Sequence, residues 1–139
     1  MAVTVQHIGF TCRDKTAQEK FYVKHFGFRR ARVFNAGKAD EFVMLRLGGV
    51  CLELFPARGA AVTDPGSERN IGFRHLCLQV PDVAAKAAGL NADGVKTGSV
   101  IDAGQHVPGL KVCFFNDPDG NAIELMEGWE DDPKPPPMA

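Results

Sequence analysis

Apolar and polar residues alternate along several short runs of the chain, and each run of this kind predicts a β-strand. In chain order the predicted strands cover residues 3–11, 28–34, 41–47, 50–55, 73–80, 95–100, 111–115 and 122–126. Helical spacing interrupts them twice, at 15–25 after a capping Asp14 and at 83–90 after a capping Asp82. Gly27 is placed to end the first helix. The order predicts an α+β fold made of two βαβββ modules, at about residues 1–56 and 72–127.

The same short motifs recur in both modules. His7-Ile8-Gly9 opens the first module and His75-Leu76-Cys77 opens the second, while Leu52-Glu53-Leu54 and Ile123-Glu124-Leu125 close them. A duplicated module presents equivalent residues twice about a pseudo-twofold axis. We expect one domain over residues 1–127 and a disordered tail over 128–139, which is acidic and then proline-rich.

Composition and charge exclude several classes of protein. Of the 139 residues 45% are apolar, which is typical of a folded domain. The formal net charge of −1 argues against nucleic acid and anionic membranes as partners. No apolar run is long enough to cross a membrane, and the first residues do not resemble a signal peptide. The four cysteines form no CxxC pair, so we expect free thiols and a cytoplasmic protein.

One face of four predicted strands carries an unusual mixture of side chains. In the first, fourth, fifth and last strands, alternation places His7, Glu53, His75 and Glu124 on the face opposite the leucines and isoleucines. Apolar walls with a few convergent polar groups are typical of a small-molecule pocket. The predicted lining consists of Thr11, Cys51, Phe55, Phe73, Cys77, Gln79 and Met126.

The two carboxylates on this face need compensation, because an unpaired buried charge is costly. No Lys or Arg lies on the same side of these four strands. Taken alone, one histidine or one glutamate on a strand is more often structural or solvent-facing. Their recurrence in both modules favours a shared metal site instead. Imidazole and carboxylate ligands suit a divalent nickel, cobalt, zinc, manganese or iron ion.

The motifs resemble the vicinal oxygen chelate superfamily, which includes glyoxalase I, extradiol dioxygenases and the fosfomycin and bleomycin resistance proteins. The segments that carry the resemblance are His7–Phe10, Phe21-Tyr22 with Gly27-Phe28, Leu52–Phe55, His75–Leu78 and Asp117–Leu125. The resemblance implies that the modules form an open, curled mixed sheet around a metal held by His7, Glu53, His75 and Glu124.

Two histidines with two carboxylates are similar to the ligand set of the glyoxalase I-like lyases and isomerases. The resemblance implies metal-assisted enediolate chemistry on a small 2-oxo or 2-hydroxy carbonyl compound or its thiol adduct, with Glu53 or Glu124 as the base. It also implies a homodimer, with the site within one chain or shared by two. Thr11 stands where bacterial glyoxalase I carries an arginine, so the substrate stays open. The alternatives are a non-haem iron dioxygenase and a ligand-sequestering protein.

Overall fold

The elements run β-α-β-β-β twice in the part of the chain that the structure, a computed structural model, describes: residues 2, 4–62 and 71–138. This order confirms the predicted repeat. The first set consists of β1 (His7–Cys12), α1 (Lys15–Phe26), β2 (Arg29–Phe34), β3 (Phe42–Leu47) and β4 (Val50–Pro56). The second consists of β5 (Leu76–Gln79), α2 (Val83–Ala92), β6 (Ile101–Asp102), β7 (Lys111–Asn116) and β8 (Ala122–Glu127).

Each set forms its own four-stranded mixed sheet. The strand orders are β1-β4-β3-β2 and β5-β8-β7-β6, so the first strand of each set pairs with the last. The β1–β4 and β5–β8 pairs are parallel and the other pairs are antiparallel. Two compact units follow from this, one of Met1–Asp64 with Asp117–Gly120 and one of Pro65–Asn116 with Asn121–Ala139. The α+β class and the paired modules of mixed sheet are thus confirmed.

Helix α1 covers one face of the first sheet. The side chain of Asp14 accepts a hydrogen bond from the backbone N–H of Ala17 at 2.9 Å, and Gly27 ends the helix with a φ of 72°. Both caps are as predicted. Tyr22 of α1 is fully buried, and its ring lies 6.3 Å from the ring of Phe10. Because Phe10 faces α1, residues one position away along β1 face the opposite side.

The turn Asp117–Gly120 belongs to the same unit as α1. Asp117 is only 4% exposed and accepts hydrogen bonds from Gln18 Nε2 at 2.6 Å and from the Tyr22 hydroxyl at 2.8 Å. Asp119 accepts from the backbone N–H of Arg13 at 3.3 Å. The turn that carries part of the sequence motif therefore anchors the first helix.

Helix α2 covers one face of the second sheet in the same manner. The Asp82 carboxylate caps it by accepting from the backbone N–H of Ala85 at 2.8 Å. Glu127 accepts from the backbone N–H of Val83 at 3.2 Å, which places α2 on the face of β8 that carries Glu127. Ile123 and Leu125, four and two residues before Glu127, share that face and are fully buried.

Three predicted strands are absent or clearly shorter in the structure. The strand predicted at 95–100 is wrong: an isolated bridge joins Thr97 to Phe115, and the strand β6 follows it. Gly98 interrupts the apolar run, and the Asn91 side chain binds both the N–H and the hydroxyl of Thr97, which holds this segment to the end of α2. The strands predicted at 3–11 and 73–80 begin later, at His7 and at Leu76.

All four cysteines are free thiols. Among the described residues, no helix has both the length and the apolar character needed to cross a bilayer.

Candidate metal centre

The two histidine–glutamate pairs occupy the same register in the two sheets. His7 lies opposite Cys51, and Glu53, two residues further along β4, lies opposite Gly9. In the second sheet Glu124 lies opposite Cys77, and His75 precedes Cys77 by two residues. Paired residues on adjacent strands share a face, so each glutamate lies on the same face as its histidine, away from the helix.

Each pair is in direct contact. Nε2 of His7 lies 3.1 Å from Oε2 of Glu53, and Nε2 of His75 lies 2.7 Å from Oε2 of Glu124. The glutamate side chains are only 15% and 10% exposed, whereas the histidines are 44% and 29% exposed. In each pair the carboxylate is therefore more deeply buried than the imidazole, and the histidine is the more solvent-accessible of the two.

Gln6 orients the first imidazole. Its Oε1 lies 2.5 Å from Nδ1 of His7, so this ring nitrogen donates the hydrogen bond. With Nδ1 held by Gln6, Nε2 is the ring nitrogen that faces Glu53. A partner on the non-ligating nitrogen is the usual arrangement around a metal-binding histidine.

The structure brings the four predicted ligands together as two pairs. No cluster of three or more His, Cys, Asp or Glu side chains able to hold a metal forms within residues 2, 4–62 and 71–138. The donor types fit a divalent first-row ion: two imidazole nitrogens and two carboxylates, with neither carboxylate in an ion pair to Lys or Arg in this part of the chain. The assignment of all four to one metal stays a prediction.

Six of the seven predicted lining residues occupy register positions on the face of the two pairs, and Phe73 is the exception. In register, Thr11 lies opposite Phe55, and Gln79 lies opposite Met126. Phe73 precedes β5 and is 96% exposed, so strand alternation does not place it. Cys77 lies opposite Glu124, and burial, followed by the charge of Glu124, raises the pKa of its thiol to about 11. Cys51, by contrast, is fully buried.

Sequence reasoning missed the basic side chains on the face of His7 and Glu53. Arg46 lies opposite Cys51, Arg29 lies opposite Arg46, and Arg32 lies opposite Met44, which in turn is opposite Glu53. The expectation that no Lys or Arg lies on this side concerned only the four strands that carry the predicted ligands, and the arginines lie on β2 and β3. A register shift between Arg30 and Arg32 also breaks the alternation that the sequence suggests.

Aromatic rings line the far end of the same face. Phe34, Phe42 and Phe55 stack across three strands, with ring centroids 4.4 Å and 4.7 Å apart. In the second sheet Phe114 lies opposite Glu124, and its ring meets that of His75 edge-on at 5.7 Å. Both histidine–glutamate pairs therefore have apolar neighbours on their own sheet.

The part of the chain that matches a known protein family contains both histidine–glutamate pairs. The family description "Glyoxalase/Bleomycin resistance protein/Dioxygenase superfamily" matches residues 4–125. This chain belongs to that superfamily. The resemblance stated from the sequence is thereby confirmed.

Relatives of known sequence or structure agree with this membership. The uncharacterized protein YaeR of Escherichia coli K12 is 30% identical over 131 residues, which is 88% of this chain and 95% of YaeR. A lactoylglutathione lyase of Pseudomonas aeruginosa is 32% identical over 62 residues, 45% of this chain and 33% of the lyase. The crystal structure of a glyoxalase family protein from Enterococcus faecalis has 30% identity and a TM-score of 0.70, covering 89% of this chain and 97% of that one.

Proposed function

We propose that this superfamily member is a metal-dependent, glyoxalase I-like lyase or isomerase. Its substrate would be a small 2-oxo or 2-hydroxy carbonyl compound, or the thiol adduct of one. The observation that carries the proposal is the recurrence of one histidine–glutamate contact, in one register, on both sheets. The partial match to a lactoylglutathione lyase supports the same class of reaction.

His7, Glu53, His75 and Glu124 would together hold a divalent nickel, cobalt, zinc, manganese or iron ion. When bound there, such an ion would supply Lewis acidity toward a carbonyl or hydroxyl oxygen of the substrate. Gln6 contacts Nδ1 of His7, so Nε2 is the ring nitrogen on the ligand side.

A glutamate of the site would move the proton. Oε2 of each glutamate contacts its histidine, whereas Oε1 of Glu53 and of Glu124 makes no hydrogen bond or ion pair with any described residue. That second oxygen would take a proton from the carbon next to the substrate carbonyl and return it.

We also propose a cytoplasmic homodimer in which each metal centre draws one pair from each chain. Four free thiols suit a reducing compartment.

The reaction is tested by exchange of the substrate's carbon-bound proton with deuterated solvent. Glu53→Gln and Glu124→Gln each keep the size of the side chain and one ligand oxygen but remove the base. We expect the base variant to lose exchange by at least about a hundredfold per bound metal, the low end for general base catalysis. The other variant should lose metal affinity more than rate per metal. The substrates are glutathione hemithioacetals and 2-substituted acyl thioesters, with exposed Glu130→Gln as the control.

Exchange at the parental rate in both variants would contradict the mechanism. Oxygen uptake with bound iron would favour a dioxygenase instead. Ligand binding without metal or turnover would favour a sequestering protein.

A further inference from the structure

Three arginines from the outer strands of the first sheet share the face of His7 and Glu53. One row across the sheet contains His7, Cys51, Arg46 and Arg29, and the next contains Gly9, Glu53, Met44 and Arg32. Arg46 is half-buried, whereas Arg29 and Arg32 are exposed. The two rows therefore lead from the histidine–glutamate pair to a group of cations.

These arginines have no anionic partner among the described residues, although their neighbour Arg30 does. Arg30 points to the helix side and pairs with Glu19 through both carboxylate oxygens. Arg29 and Arg46, by contrast, lie directly opposite each other, and like charges in that position destabilise a sheet. Arg32 lies over the ring of Phe34, with its guanidinium carbon 5.9 Å from the ring centroid. A bound anion would offset the repulsion.

The spacing suits a group attached to a molecule that also reaches His7. Arg46 is two strands away from His7, and strand spacing places their Cα atoms roughly 10 Å apart. The long arginine side chain covers part of that distance. An anionic group a few bonds away from atoms held at His7 and Glu53 is therefore within reach of Arg46.

The second sheet lacks this feature. The residues opposite Glu124, Met126 and Ala122 on β7 are Phe114, Val112 and Asn116, none of them charged. The cations are thus a property of the first sheet alone, and they would give a bound substrate a single orientation.

We infer that the substrate carries a distal oxyanion, a carboxylate or a phosphonate-type group, and that Arg46 and Arg29 bind it, with Arg32 beside them. The planar guanidinium fork matches either oxyanion with two hydrogen bonds. The inference rests on the proposed function for the position of the reacting end, and it names the class of substrate for that site.

Binding calorimetry on the metal-loaded full chain tests the inference without turnover. The probes are 2-oxoglutarate, its phosphonate analogue 2-oxo-4-phosphonobutanoate, and 2-oxopentanoate, which lacks the distal charge. We expect one of the charged probes to bind at least about tenfold more tightly than 2-oxopentanoate, the low end for a charge-assisted contact. The tighter of the two identifies the oxyanion. Arg46→Gln should abolish the preference, Arg46→Lys should restore part of it, and Lys20→Gln on α1 should leave it unchanged.

Arg29→Gln, an exposed change on the edge strand, gives an independent measurement if Arg46→Gln does not fold, and it should lower the preference. Equal binding of all three probes, no binding of the two charged ones, or an unchanged preference in both glutamine variants would overturn the inference. Failure of the proton-exchange experiment with the preference intact would remove the proposed reaction and leave the oxyanion subsite. Loss of the preference with proton exchange intact would remove the oxyanion subsite and leave the proposed reaction.

Discussion

Asp117 is a buried carboxylate whose partners are structural. It accepts hydrogen bonds from Gln18 and Tyr22 of α1, and none of the three residues lies on the face of His7 and Glu53. A hydrogen bond to a charged acceptor is stronger than one between neutral groups. The turn therefore holds the first helix in place, which in turn fixes the sheet that presents the first ligand pair.

Replacing Tyr22 with phenylalanine tests this anchor. We expect Tyr22→Phe to lower the free energy of unfolding at neutral pH by about 2 kcal/mol, because Asp117 loses a buried donor. Burial, followed by the charge of Asp117, raises the pKa of Tyr22 well above its ordinary value of 10.0. Above pH 10 the unfolded tyrosine ionises and the folded one does not, so the wild type loses stability that the phenylalanine variant retains.

Chemical denaturation from pH 7 to pH 11 measures the free energy of unfolding of the wild type and of Tyr22→Phe. The difference between the two free energies should narrow above the ordinary pKa of tyrosine. Lys20→Gln, an exposed change on the same helix, is the control and should leave the difference unchanged. A difference that does not change with pH would show that Tyr22 titrates as an ordinary tyrosine.

At the level of single residues, the sequence predicted the shared face of each histidine and glutamate but not the arginines. His7, Glu53, His75 and Glu124 repeat in two modules, and a period of two is enough to assign their face. The arginines do not repeat, and their face depends on a register shift between Arg30 and Arg32 that no periodicity reveals. Side chains from neighbouring strands become neighbours only when the pairing is known.

At the level of elements, capping residues were the most informative signals. Asp14, Gly27 and Asp82 were placed correctly because each satisfies backbone groups that a helix end leaves unpaired. The strand predicted at 95–100 does not form, because Thr97 and Gly98 make single hydrogen bonds to α2 and to β7 instead of a continuous β-ladder. Short exposed runs carry too few contacts for their own pattern to decide the structure.

We expect alanine to have opposite effects on the free energy of unfolding at Gly27, which ends α1, and at Gly89, inside α2. A Cβ at Gly27 or at Gly89 would meet no atom within 4 Å, so sterics against neighbours do not distinguish them. Gly27 has a φ of 72°, and Gly27→Ala should lower the free energy of unfolding by about 1–2 kcal/mol. Gly89 lies inside α2, where Gly89→Ala should raise it by up to about 1 kcal/mol.

Thermal or chemical unfolding of the two alanine variants beside the wild type measures both effects. Changes of the same sign in the two variants would contradict the backbone assignment.

At the level of the whole molecule, the repeat predicted the two modules, and the superfamily match supports the fold. The assembly could not be predicted from the sequence, because a pseudo-twofold repeat serves equally well for a centre within one chain and for one shared by two. Each sheet presents one histidine–glutamate pair, which is half of the proposed ligand set.

Mixing two inactive variants tests the shared centre. Consider a dimer made of one His7→Ala chain and one His75→Ala chain. If the centres are shared, one centre lacks both histidines and the other has the full ligand set. We expect mixed dimers, refolded together and purified by two tags, to regain half of the wild-type metal and half of its exchange activity. Recovery of neither would place each centre within a single chain, and a chain that stays monomeric at micromolar concentration with metal bound would also contradict the shared centre.

The central claim is that His7, Glu53, His75 and Glu124 form one metal centre, and elemental analysis of the purified protein tests it most directly. The account predicts about one divalent first-row ion per chain, since each chain contributes one set of four ligands. His7→Ala and His75→Ala should each lose most of this metal, and His106→Ala, an exposed histidine outside both pairs, should keep it. Stoichiometric metal with unchanged affinity in both ligand variants, or a wild-type protein that binds no metal, would contradict the account.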